Sequence, residues 1–299
     1  MPSPEHEAMV EQIIAQHQRT PETPPSAEML VAARAAETSA VPPTPDDVRL
    51  EAEEFGGVPC LVVTSKDAEP IGTIVFVHGG GYIWMRAQTH IPVVSALVRA
   101  TGCRCVNVDY RRAPEHPFPA AVEDFVTVYG ALLADGISPE HIALAGDSAG
   151  GGLVLGGLVA LRDGGIPLPA AAVSISPWTD LAVTGDSADT ADDPVVNGAG
   201  LRMMANLYLD GAAATSPTAS PLYADLSGLP PLLIQVGTRE SLLDDARRVA
   251  SRAKAAGVDV TLQEFEGVVH MWVVMGPEIP ESVQAFQDAG EFIRRHISG

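Results

Sequence analysis

Basic side chains are scarce in this sequence. Lysine and arginine number 18 against 38 aspartates and glutamates in 299 residues, a formal charge of −20 with histidines neutral. A polyanion would be repelled at long range, which excludes nucleic acid, heparin or an anionic membrane surface as partner. Cysteine is scarcer still. Cys60, Cys103 and Cys105 are odd in number and have no CxxC spacing, so they read as core thiols in a reducing compartment rather than disulfide or metal ligands. The N-terminal stretch MPSPEHEAMVEQ has no basic region followed by an apolar one, and no secretory signal is expected. Long apolar runs are missing too: the longest, Ala149 to Leu161, is too short to span a bilayer. These absences predict a soluble cytoplasmic protein. What is present excludes disorder, because 46% of the residues are hydrophobic, enough for one large domain or two small ones.

Two rhythms divide the chain. In residues 1–45, Met9, Val10, Ile13 and Ile14 recur at helical spacing and Ala27–Thr38 reads as a second helix, before the loop VPPTPDD breaks the pattern. Two helices ahead of the main body predict a cap, with an N-terminal brace as the other reading. From residue 46 onward, short apolar runs alternate with helix-length segments. Val48–Glu54 and Val58–Thr64 predict a hairpin around Gly56-Gly57. Strands are expected at Thr73–Val77, Arg104–Asp109, Ile142–Ala145, Ala172–Ser176, Leu232–Val236 and Val258–Phe265. The helices between them predict crossovers and a mostly parallel sheet. Residues 182–221 break the rhythm with a polar loop and a helix around Leu201–Leu209, so they read as an insertion over the sheet. There is no internal repeat.

Ligand sites in open parallel sheets lie at the carboxyl ends of strands. The strand Ile142–Ala145 runs into Gly146-Asp147-Ser148-Ala149-Gly150, a GxSxG pattern before a helix. A nucleophile on so sharp a turn is strained, and Cβ groups two positions to either side would clash. The helix that follows adds its N-terminal dipole for a developing anion. Alone the pattern is weak; its place between strand and helix strengthens it. The strand Thr73–Val77 ends in His78-Gly79-Gly80-Gly81, whose backbone N–H groups have no side chains in the way. That predicts an oxyanion hole from Gly79, Gly80 and the amide of Ala149, against the alternative of a flexible glycine turn. His78 reads as a hydrogen-bonded organiser of this loop rather than a base.

A serine hydroxyl needs an imidazole, itself oriented by a carboxylate. The strand Val258–Phe265 leads to a loop carrying His270, which is the predicted base; His296 lies near the end of the last helix and reads as surface. The acid belongs after Leu232–Val236. There Ser241 and Asp244 have the spacing of a capping box, and Asp245 falls in the first turn of the helix. Glu240 precedes the cap with no structural task, so it is favoured, with Asp244 as the alternative.

From about Val48 to its end the chain resembles the bacterial hormone-sensitive-lipase-like esterases of the α/β-hydrolase fold. The resemblance rests on HGGG at His78–Gly81, DYRRAPEHPFPAAVED at Asp109–Asp124, GDSAGG at Gly146–Gly151, SPWTDL at Ser176–Leu181 and the GxxH ending in His270. It implies an eight-stranded, mostly parallel sheet flanked by helices over residues 46–299. It also implies a helical cap built from residues 1–45 and the insertion at about 182–221. The triad would be Ser148–Glu240–His270, hydrolysing short- to medium-chain esters through an acyl-enzyme without metal or cofactor. One departure stands out: many members carry Asp-Pro-Leu in the acid motif, where this chain has Glu240-Ser241-Leu242. Arg112, where leucine is common, reads as inconsequential. A lactonase or amidase using the same triad is the alternative activity. A receptor-like binding module of the kind that lacks the catalytic histidine is disfavoured by His270.

Around the triad, Asp109, Arg111, Glu115 and His116 are expected to form a network supporting the glycine loop, and Asp147 to be a supporting residue. Tyr82, Met203, Leu207 and Tyr208, with Trp84 and Met204, are the substrate-pocket candidates, with cap-to-core packing as the equal alternative. The expected partner is a small neutral or cationic ester; the one macromolecular partner left open is a second copy of the chain.

Overall fold

The structure is a computed structural model that describes residues 1–17, 29, 30, 32, 34, 35 and 41–297. Its frame is one eight-stranded sheet in the order β1-β2-β4-β3-β5-β6-β7-β8. The strands are β1 (Val48–Phe55), β2 (Val58–Ser65), β3 (Thr73–Val77), β4 (Arg104–Val108), β5 (Ile142–Asp147), β6 (Ala171–Ile175), β7 (Leu232–Gly237) and β8 (Val260–Phe265). Only β2 runs against its neighbours, paired antiparallel to β1 through the Gly56-Gly57 turn and to β4 on its other side. From β4 to β8 every pairing is parallel.

Parallel strands covered by helices on both faces should be apolar throughout, and β3, β5, β6 and β7 are buried at every position. Alternation then sends successive side chains to opposite faces. Val75, Val77, Ile142 and Leu144 enter the core shared with Phe125 and Leu153. Ile74, Phe76, Ala143 and Ala145 enter a second core with Val94, Leu97 and Phe286. Helices Ala120–Ala134, Ala149–Asp163 and Leu243–Ala255 supply the first layer, and Ile91–Thr101 and Pro280–His296 the second.

Helix Pro4–His17 packs Met9, Val10 and Ile13 into the second core, beside Val268, Val269 and Trp272. Of the helix expected at Ala27–Thr38, only Met29, Leu30, Ala32, Arg34 and Ala35 are described, all helical; the rest lies outside the described residues. Within residues 182–221 the main helix is Gly198–Leu209, three residues longer at its start than expected. Asn197 caps it, its side-chain oxygen accepting the Gly200 N–H at 3.0 Å. All three cysteines are unpaired and buried. Among the described residues no helix is long and apolar enough to cross a membrane.

Because β3, β5, β7 and β8 are all parallel, their carboxyl ends meet along one edge of the sheet. That edge carries the four segments that the sequence marks.

Candidate active site

Ser148 stands at the turn between β5 and helix Ala149–Asp163 with φ 55° and ψ −121°. A non-glycine residue holds such a backbone only where the surroundings fix it. Here the Ser148 N–H donates to the Ile175 carbonyl (2.8 Å) and its own carbonyl accepts from Trp178 N–H (3.0 Å). The flanking glycines are needed for space. A Cβ on Gly150 would lie 2.0 Å from the Val77 carbonyl oxygen, and one on Gly146 would lie 2.6 Å from that of Gly150.

His270, on the loop after β8, places Nε2 2.9 Å from Ser148 Oγ, and its Nδ1 lies 2.7 Å from Glu240 Oε2. A carboxylate accepts only, so Nδ1 carries the hydrogen and Nε2 is left to take the serine proton. Glu240 is 0% exposed. Its Oε1 accepts from Ser176 Oγ and from the Gly237 N–H, each at 2.7 Å. Burial pushes the His270 pKa down, but the Glu240 hydrogen bond and charge outweigh it, and the net shift is upward from 6.5. The loop is braced by the N-terminal helix, where His6 Nε2 accepts the Val269 N–H at 3.3 Å.

The other acids turn elsewhere. Asp244 Oδ2 accepts the Ser187 N–H (2.9 Å) and Ser241 Oγ donates to the Val196 carbonyl (2.8 Å), so the expected capping box is absent. Helix Leu243–Ala255 begins with no side-chain cap. Asp245 is buried and accepts the N–H groups of Thr179 and Asp180, and burial pushes its pKa up to about 7. His296 Nδ1 stays on its own helix, 2.8 Å from the Phe292 carbonyl.

The glycine loop corrects the expectation for Gly79. Its N–H donates to Asp147 Oδ1 at 3.0 Å, so it is already spent on a carboxylate. Gly80 (φ 102°) and Gly81 (φ 61°) are the glycines that line the cavity over Ser148, in backbone conformations that a side chain resists. Opposite them, Ala149 opens its helix, where an N–H has no intrahelical acceptor. Asp147 also approaches His90 Nε2 at 3.1 Å. His78 is an organiser as expected: Nδ1 lies 2.8 Å from the Gly79 carbonyl, its ring stacks on Tyr110, and burial pulls its pKa to about 3.

The expected support network is not one network. Arg111 grips Asp124, Glu115 pairs with Arg34, and Asp109 accepts the Ala87 N–H. His116 uses its backbone N–H on the Arg112 carbonyl. The glycine loop is instead held by Tyr110, whose hydroxyl donates to the His78 carbonyl (3.0 Å), and by Arg112, which donates to the Met85 carbonyl. Arg112 is therefore not inconsequential.

Above Ser148 and His270 opens a cavity of about 390 Å³. None of Tyr82, Met203, Leu207 or Tyr208 lines it. Tyr82 and Tyr208 are buried and stacked on one another, ring centroids 3.8 Å apart, and so belong to the core. On helix Gly198–Leu209, Leu201 and Met204 line the cavity, while Met203 and Leu207 do not and pack against the core. Trp84, Met85 and Trp178 complete one side; Val195, Val196, Met271 and Met275 complete the other. Trp84 and Met204 are thus the pocket candidates that the structure places at the cavity; Met85, Val195, Val196, Met271 and Met275 have no periodicity to mark them, and Trp178 is marked in the sequence only as part of the SPWTDL block.

A parallel sheet with a serine on a strained elbow and a histidine–carboxylate pair behind it defines an α/β-hydrolase, and the family model described as alpha/beta hydrolase fold matches residues 74–274. The chain is 49% identical over 224 residues to an acetyl-hydrolase of Streptomyces hygroscopicus, covering 74% of this chain and 75% of that one. An esterase from the bacterial hormone-sensitive lipase family superposes with a TM-score of 0.92 at 45% identity, over all of both chains. The esterase EstE5, in crystals soaked with p-nitrophenyl butyrate, gives 0.93 at 40% identity over 99% of this chain and 100% of that one. The chain belongs to the bacterial hormone-sensitive lipase family of esterases, hydrolases of carboxylic esters.

Proposed function

We propose that this protein hydrolyses uncharged, short- to medium-chain carboxylic esters through an acyl-enzyme on Ser148. The observation that carries the reading is the relay of 2.9 and 2.7 Å from Ser148 through His270 to Glu240 at the floor of an apolar cavity. His270 Nε2 takes the Ser148 proton as Oγ bonds to the ester carbonyl carbon. The carbonyl oxygen, now an anion, is held by the N–H groups of Gly80, Gly81 and Ala149. The imidazolium, stabilised by Glu240, then protonates the leaving alcohol as its C–O bond breaks. Water repeats the sequence on the acyl-enzyme and frees Ser148.

Apart from His270 the cavity lining has no ionisable side chain, which favours uncharged acyl and alcohol groups. Four of the eight methionines, Met85, Met204, Met271 and Met275, sit there, and flexible thioethers suit chains of varied length. In this reading the insertion at 182–221 is the cap, while the N-terminal helix braces the His270 loop. The three buried, unpaired thiols fit a reducing, cytoplasmic setting.

The test is kcat/KM across p-nitrophenyl esters from acetate to dodecanoate, each over a pH range. A maximum at short or medium chains is expected. The acid limb should lie above pH 6.5, because His270 acts only when neutral and its pKa is raised. A maximum at dodecanoate contradicts the chain-length reading; an acid limb well below pH 6.5 contradicts the role of His270 as base.

A further inference from the structure

Asp193 and Ser241 take no part in the relay, yet they join two walls of the site. Asp193 lies in the insertion, two residues before Val195 and three before Val196, both of which face the cavity. Its Oδ1 accepts the Val195 N–H and its Oδ2 accepts the Ser241 N–H, each at 3.0 Å. Ser241 directly follows Glu240 and is buried. Its Oγ donates to the Val196 carbonyl at 2.8 Å, and its own carbonyl accepts from Ser187 Oγ at 2.8 Å. All three hydrogen-bonding groups of Ser241 are thus committed to the insertion, and one carboxylate is shared between the apolar wall and the acid loop.

The departure from the usual acid motif gives this arrangement its meaning. Proline has neither an N–H nor a hydroxyl, so the Asp193 and Val196 links could not form with Asp-Pro-Leu in this place. With Glu240-Ser241-Leu242 the loop gains a donor on each count. Ser176 and Gly237 hold the Glu240 carboxylate from one side; the Ser241 links hold the backbone that carries it from the other.

We propose that Asp193 and Ser241 are positioning residues that clamp the Glu240 loop to the Val195–Val196 wall, so that placement of the triad acid and shape of the substrate cavity are set together. The inference rests on the assignment of Glu240 as the triad acid. Its test is steady-state kinetics on p-nitrophenyl acetate and hexanoate for wild type, D193A, D193N, S241A and E240Q, with far-UV circular dichroism and melting on each.

D193A should lower kcat about tenfold, since small displacements of catalytic groups are costly, and raise KM for the hexanoate more than for the acetate. D193N has one amide oxygen for the two N–H groups, so it keeps either the Val195 or the Ser241 link and sets its NH2 against the other; its kcat should fall between those of wild type and D193A. S241A keeps its N–H and loses only the Val196 link, so KM for the hexanoate should change more than kcat does. D193A with wild-type kcat and KM on both esters overturns the proposal, whatever its melting temperature. E240Q separates the two levels: E240Q at wild-type kcat removes the triad assignment and this inference with it, whereas E240Q impaired beside an unaffected D193A removes this inference alone.

Discussion

Replacing Ser148 with alanine is expected to lower kcat on p-nitrophenyl butyrate by about 10⁵- to 10⁶-fold, the scale seen when a triad nucleophile is removed. Without Oγ no acyl-enzyme forms, and what remains is the cavity and the anion-binding amides acting on direct attack by water. Stability should hardly change. Among the described residues the Ser148 hydroxyl bonds only His270, and the strained backbone is fixed by the Ile175 and Trp178 hydrogen bonds, which alanine keeps. An unfolding free energy within about 1 kcal/mol of wild type, measured in urea, would set this variant apart from one that is merely misfolded.

Gly150→Ala should do the opposite and damage fold and activity together. The added methyl would sit 2.0 Å from the Val77 carbonyl oxygen, at the end of β3, and 2.6 Å from that of His78, the first residue of the glycine loop, both backbone atoms. Neither can step aside as a flexible side chain could, so helix Ala149–Asp163 must back away from β3. Overpacking of this kind costs about 3 kcal/mol or more. The same shift moves Ser148 and the Ala149 amide away from Gly80 and Gly81, and a displacement near 1 Å costs about 10²-fold in rate. Urea unfolding and kcat on the same sample check both halves; a stable and fully active Gly150→Ala would mean that the helix does not dock as described.

The sheet was legible because its strands are short apolar runs at helix-length intervals, and β3, β4, β5, β6 and β7 lie within a residue or two of where those runs fall. Ser148, Glu240 and His270 stood out because each sits just past a strand end, where polar residues on loops have few structural reasons to be. Other features depend on side-chain direction, which no pattern encodes. Gly79 lost its assigned N–H because Asp147 folds back to accept it. Of the two methionine candidates on helix Gly198–Leu209, Met204 reaches the cavity and Met203 does not, a difference of side-chain direction between neighbours. The capping-box reading of Ser241 and Asp244 had sound local chemistry, but the insertion offered both side chains nonlocal partners. Apart from the buried Asp124, Asp147, Asp180, Glu240 and Asp245, the described acidic side chains reach solvent, and the −20 charge fits this picture as mostly solvated surface.

In the proposed mechanism Ser148 forms the covalent intermediate. Its most direct test is mass spectrometry of the protein after reaction with a p-nitrophenyl phosphonate, which bonds to an activated serine oxygen and releases p-nitrophenolate. A single adduct on Ser148 is expected, with esterase activity falling in proportion to the fraction labelled. An adduct confined to another residue, or full turnover by completely labelled protein, would contradict it.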